Sequence, residues 1–107
     1  PEDEWDAEDA VSLQFAVYDQ HQPIATARLL QNNSIGRVAV LKSHRGLGIG
    51  KLLMLAIIQQ AESEQREFLK LSSQVHAIQF YAGLGFQVQG DEYLDCGIAH
   101  IEMYLNL

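Results

Sequence analysis

The 107-residue chain has a single cysteine, two prolines, one tryptophan and only seven basic residues against fourteen acidic ones. One cysteine, Cys96, excludes an intrachain disulfide and gives no sign of an oxidising compartment. The shortage of Lys and Arg, with a net charge of −7, argues against non-specific binding to nucleic acid, whose phosphates demand cations. No stretch approaches the roughly 20 apolar residues of a membrane span. The start, residues 1–9, lacks the basic and apolar regions of a secretory signal. These features point to the cytoplasm, with no nucleic-acid or membrane partner. His21 and His44 have no Cys or carboxylate set at ligand spacing, so no metal is expected.

What is present suits one domain, 1–107, with 48% hydrophobic residues for a single core. Six of the acids (Glu2, Asp3, Glu4, Asp6, Glu8 and Asp9) crowd into an acidic arm over residues 1–10. The body beyond it is nearly neutral. Residues 11–18 alternate, with Val11, Leu13, Phe15 and Val17 on one side, as a strand does. Turn-forming residues follow, with Pro23 opening a second strand over 24–30 and Asn32-Asn33-Ser34 leading into a third over 35–41. Short connections make this an antiparallel meander.

The period then changes. Residues 51–66 contain no Gly or Pro and favour helix, with Leu52, Leu55 and Ala56 in an apolar first half and a wetter end. A short strand is expected over 68–72 and a second helix over 76–84, stopped by Gly85 in a left-handed cap. Residues 86–88 open another strand, 90–97 read as loop, and 100–107 alternate as a final strand. The order β-β-β-α-β-α-β-β predicts an α/β fold with a mixed sheet. In it the meander is followed by a right-handed parallel β-α-β crossover, placing strands three and four side by side.

Between the third strand and the first helix lies His44-Arg45-Gly46-Leu47-Gly48-Ile49-Gly50-Lys51. Three alternate glycines leave the backbone bare, so several amides can converge on one anion at a helix N-terminus, flanked by the cations Arg45 and Lys51. A phosphate or pyrophosphate is the natural ligand. A Walker A loop is disfavoured, because Arg45 stands where its first glycine belongs and Leu52 replaces its Ser/Thr. The dinucleotide pattern G-x-G-x-x-G also fails, at Lys51 or Leu53 depending on the frame.

Arg45-Gly46-Leu47-Gly48-Ile49-Gly50 resembles the Arg/Gln-x-x-Gly-x-Gly/Ala signature of the GNAT acetyltransferases, and Ala77-Ile78-Gln79-Phe80-Tyr81-Ala82-Gly83-Leu84-Gly85-Phe86 resembles their A-x-x-F-Y-x-x-x-G-F stretch. The tail, Gly97-Ile98-Ala99-His100-Ile101-Glu102-Met103, is similar to the G-I-P-H-x-x-M ending of the ElaA-like subgroup, with Ala99 in place of proline. The acidic start is similar to that subgroup's leading segment. The resemblance implies an acetyl-CoA-dependent N-acetyltransferase in which a small-molecule or peptide primary amine attacks the thioester directly. It assigns cofactor binding to Val38, Ala39 and Val40 and to Arg45, Gly46, Leu47, Gly48, Ile49, Gly50 and Lys51. It gives Tyr81 the role of proton donor to the leaving thiolate. For the base, His100, Glu102 and Asp95 remain open, with His100 foremost because the resemblance places a histidine there. Ser72, Ser73 and Gln74 either bond the pantetheine or acceptor or cap the following helix. Family members normally begin with a strand and one or two helices not found before this meander. An exposed edge at the first strand would then favour a homodimer. A shortened fold that binds CoA or a partner without catalysis is the second reading, and a phosphate-binding module unrelated to CoA the third.

Overall fold

A computed structural model describes residues 12–107. The acidic arm and Val11 lie outside the described residues. Six strands, β1 (Leu13–Asp19), β2 (Gln22–Leu29), β3 (Ser34–Val40), β4 (Phe68–Gln74), β5 (Gln87–Asp95) and β6 (Ile98–Asn106), form one sheet in the order β1-β2-β3-β4-β6-β5. Only β3 and β4 run parallel. Helix α1 (Ile49–Ser63) connects them as the expected crossover, and α2 (Ile78–Ala82) follows β4.

The core lies on one face. Along β4, Leu69, Leu71 and Ser73 are buried while their even-numbered neighbours are exposed, the period-2 signature of a one-sided strand. Ala27, Leu29, Ile35, Ile101 and Met103 extend that face across the sheet. Helix α1 closes it with Leu53, Met54, Ile57 and Ala61, a stripe that reaches to its last turn. Leu52 and Leu55, expected inside, are 57% and 47% exposed, because the helix turns the opposite flank to the sheet.

Three boundaries differ from expectation for identifiable reasons. Helix α1 starts two residues early, at Ile49, and stops at Ser63. Its end is a left-handed cap: Gln65 has φ +60°, with Gln65 N–H on the Glu62 carbonyl and Arg66 N–H on the Ala61 carbonyl. The Arg66 guanidinium then donates to the Leu30 carbonyl at 2.7 Å and to Asn33 Oδ1 at 3.0 Å, which draws residue 66 out of the helix. The second helix is shorter than residues 76–84, a single 3-10 turn (Val75–Ala77) leading into α2. Its end matches expectation: Gly85, with φ +105°, donates to the Ala82 carbonyl and Phe86 to that of Tyr81.

The segment 90–97, expected as loop, is strand for most of its length. β5 runs to Asp95, and Cys96 and Gly97, both with positive φ, form the two-residue turn that closes the Asp95–Ile98 pair. The strand passes over Gly90 by a bulge: four steps from Gln89 to Tyr93 oppose two from Glu102 to His100.

Strands β3 and β4 share only the pairs Ser34–Lys70 and Ile35–Leu71. Beyond these, β3 carries a one-residue bulge against β2, where Arg37 takes φ +54°. A bulge bends its strand, and here it turns β3 from β4 just past the last shared pair. The resulting fork lies at the carboxyl ends of parallel strands, where open α/β sheets bind ligands.

Candidate active site

Two adjoining cavities fill the fork. The larger, about 550 Å³, is walled by Val38, Ala39 and Val40 of β3, by Arg45, Gly46, Gly48, Ile49, Gly50 and Lys51 of the glycine loop and helix start, and by His44, Ala77 and Phe80. The smaller, about 290 Å³, shares Val38 and Ala77 with it and contains Tyr81, His100, Arg37, Ser72, Gln74 and His76. Of the residues expected to bind the cofactor, Leu47 alone lines neither cavity; it is 68% exposed.

The loop end is electrostatically open. Gly48 is the N-cap of α1 with φ +79°, no side chain caps the helix, and its first turn contains no acid. The leading amides of a 15-residue helix therefore face the cleft with the positive end of its dipole. Gly50 has neither a positive φ nor a clash to explain it: a Cβ there would meet Phe80 at 3.5 Å, an ordinary contact. Arg45 donates from Nε to the Val40 carbonyl at 3.2 Å, so its guanidinium is tied to the end of β3 beside the loop. An extended phosphorylated ligand fits these residues.

The other end is made of side chains. Tyr81 sits edge-on between Phe80 (5.0 Å between centroids) and Phe86 (5.9 Å). Its hydroxyl has no hydrogen-bond partner among the described residues, and burial pushes its pKa up, which favours the protonated phenol. His100 Nδ1 lies 2.8 Å from the Ile98 carbonyl. A carbonyl only accepts, so Nδ1 holds the hydrogen, and the neutral ring presents a bare Nε2.

Glu102 and Asp95, the other two carriers considered for base chemistry, do not line the cavity that holds Tyr81. Glu102 accepts from Tyr93 Oη at 2.9 Å, and Tyr93 also bonds Ser72. The Ser72 bond lowers the Tyr93 pKa, but burial, the Glu102 bond and the charges of Glu102 and Asp95 together outweigh it, so the net shift is upward. The Tyr93 ring stacks on His100 at 6.0 Å. Ser73 is buried and donates to the Gln74 carbonyl, whereas Ser72 and Gln74 face the cavity. Sequence reasoning missed Tyr93, whose position depends on the β5 bulge, and His44 and Phe80 as cleft walls. Phe80 stood in a quoted motif, but only as a packing partner.

A strand, a glycine loop opening a helix, and a parallel neighbour that splays away define an open cleft along one strand. The acetyltransferase (GNAT) domain model matches residues 4–107. The chain is 34% identical over 106 residues to the uncharacterized N-acetyltransferase YjcF of Bacillus subtilis, covering 95% of this chain and 76% of that protein. Among solved structures it resembles an acyl-CoA N-acyltransferase from Pseudomonas aeruginosa, with 31% identity and TM-score 0.80. It also resembles Escherichia coli ElaA, with 26% identity and TM-score 0.81. Each covers 88% of this chain, and the chain spans 68% of each of them. The chain belongs to the GNAT acetyltransferase family, and its class is acyltransferase.

Proposed function

We propose that this domain transfers an acetyl group from acetyl-CoA to a primary amine by direct attack, with Tyr81 and His100 as the catalytic residues. The reading is carried by one observation: Tyr81, a half-buried phenol whose hydroxyl has no hydrogen-bond partner among the described residues, and His100, with a bare Nε2, line one cavity that adjoins the glycine-loop cleft.

Acetyl-CoA supplies the acetyl group as a thioester. The amides of Gly46, Gly48, Ile49, Gly50 and Lys51, with the Arg45 and Lys51 cations, would hold its pyrophosphate. The β3 backbone over Val38, Ala39 and Val40 has no β4 partner beyond the fork, and would pair with the pantetheine amides as an added strand does. The acceptor amine arrives protonated at neutral pH. His100 Nε2 takes one proton from the ammonium, the nitrogen bonds the acetyl carbon as the carbon–sulfur bond breaks, and Tyr81 Oη gives its proton to the departing sulfur. The second proton, shed by the new amide nitrogen, restores the phenol, and His100 passes its own to solvent. The raised pKa of Tyr81 keeps that proton in place until the thiolate needs it. Among the described residues no helix is long and apolar enough to cross a membrane. We assign the reaction to the cytoplasm, which suits an exposed free thiol at Cys96. Among the described residues β1 lies at the edge of the sheet, and a second copy pairing there would extend the sheet.

Calorimetry with acetyl-CoA is the direct test, coupled to CoA thiol release with a panel of alkylamines. Binding weakened about tenfold or more by Arg45→Ala, together with amine-dependent thiol release, supports the reading. Tight binding without release by any amine would favour a domain that binds CoA without catalysis.

A further inference from the structure

The glycine loop has few internal ties: among the described residues these are His44 N–H on the Leu41 carbonyl, a long 3.4 Å bond from Arg45 N–H to the Lys42 carbonyl, and Arg45 Nε on the Val40 carbonyl. Two further links come from the β1–β2 hairpin. Leu41 N–H donates to the Ile24 carbonyl at 2.8 Å, and His44 Nε2 lies 3.1 Å from Asp19 Oδ2, across 25 positions of sequence. The same ring meets Ser43 Oγ through Nδ1 at 2.8 Å. An ionised carboxylate only accepts, so Asp19 fixes the hydrogen on Nε2, and Nδ1 of the neutral ring accepts from the Ser43 hydroxyl. The ring is thus pinned at both nitrogens, and it walls the cleft one residue before Arg45.

The hairpin is built to deliver that carboxylate. Asp19 ends β1 opposite Gln22, and the two residues between, Gln20 and His21, both take left-handed backbone at φ 49° and 75°. Asn-Gly is the low-cost choice for such a turn. Two residues with full side chains held there carry a local cost that contacts elsewhere must offset.

We propose that Asp19, His44 and Ser43 form a brace that presets the glycine loop, making Asp19 and His44 positioning residues for the cofactor. The inference rests on the cleft's binding acetyl-CoA. A loop already ordered before the ligand arrives loses less freedom on binding, so the brace acts on affinity and leaves the chemistry at Tyr81 untouched.

The test combines calorimetry with CoA and steady-state kinetics on the intact chain. Asp19→Ala is expected to raise Kd for CoA and KM for acetyl-CoA about tenfold, with kcat and the amine KM unchanged. Asp19→Asn, which still offers an oxygen to Nε2–H, recovers most of the loss. The Asp19→Ala/His44→Ala double variant binds no worse than His44→Ala alone, because the two act as one unit. Wild-type binding that Asp19→Ala leaves unaltered, or losses that multiply in the double variant, overturns the brace and leaves the acetyl-CoA reading standing. A wild-type chain that does not bind CoA overturns that reading and the brace together. Both side chains are partly exposed, at 54% for Asp19 and 23% for His44, so the variants should fold. If Asp19→Ala does not, Asp19→Asn against His44→Ala gives the same comparison.

Discussion

The loop end of the cleft offers backbone amides and glycines, whereas the far end offers side chains from elements distant in sequence. At the loop end, seven of the eight consecutive residues 44–51 wall the proposed anion site, and what matters is which positions lack a side chain. At the far end, Tyr81 comes from α2, His100 from β6 and Ser72 from β4, and what matters is which groups meet. Substitutions at the first end should therefore change affinity, and those at the second should change the rate of the chemical step.

The largest effect is expected at Tyr81. Tyr81→Phe removes the proposed proton donor while keeping the aromatic contacts with Phe80 and Phe86. Single-turnover measurements should show the rate falling about 10³-fold with CoA affinity unchanged. His100→Gln should lower kcat less, about 10²-fold, with the loss greatest for the most basic amines. A comparable rise in Kd for CoA instead would move His100 from chemistry to structure.

Gly48→Val tests the opposite end. A β-branched residue at φ +79° costs about 1–2 kcal/mol of stability and disturbs the amides at the start of α1. Calorimetry should show CoA binding about tenfold or more weaker, while kcat at saturation stays near wild type.

The smallest effect concerns alkaline stability. Burial raises the Tyr81 pKa in the folded state, so folding favours the protonated phenol. That stabilisation is fully present below the ordinary tyrosine pKa of about 10 and is lost as pH rises through the folded value. Tyr81→Phe should therefore lose less stability than wild type above about pH 10, read from melting temperatures on either side of that pH. Tyr93, also raised, is present in both proteins and cancels from the difference.

How much of this was legible follows the same division. The loop could be read directly because glycine spacing, flanking cations and the strand-to-helix switch are local features. The β1–β2–β3 meander and the crossover through α1 followed from periodicity and short connections. Boundaries failed where side chains intervened, as when Arg66 left the helix to bond Leu30 and Asn33. The start of β5 was expected, but its continuation through residues 90–95 was missed because the strand is exposed throughout, so no apolar–polar alternation marks it in the sequence.

By itself the sequence determined the order of elements, the glycine loop and the family, since each depends on residues near one another along the chain. Only the tertiary structure decided which base candidate shares a cavity with Tyr81, where β3 parts from β4, and that Asp19 reaches His44. Those outcomes depend on strand register and on a bulge in each of β3 and β5, and one residue of register turns a side chain to the opposite face of a sheet.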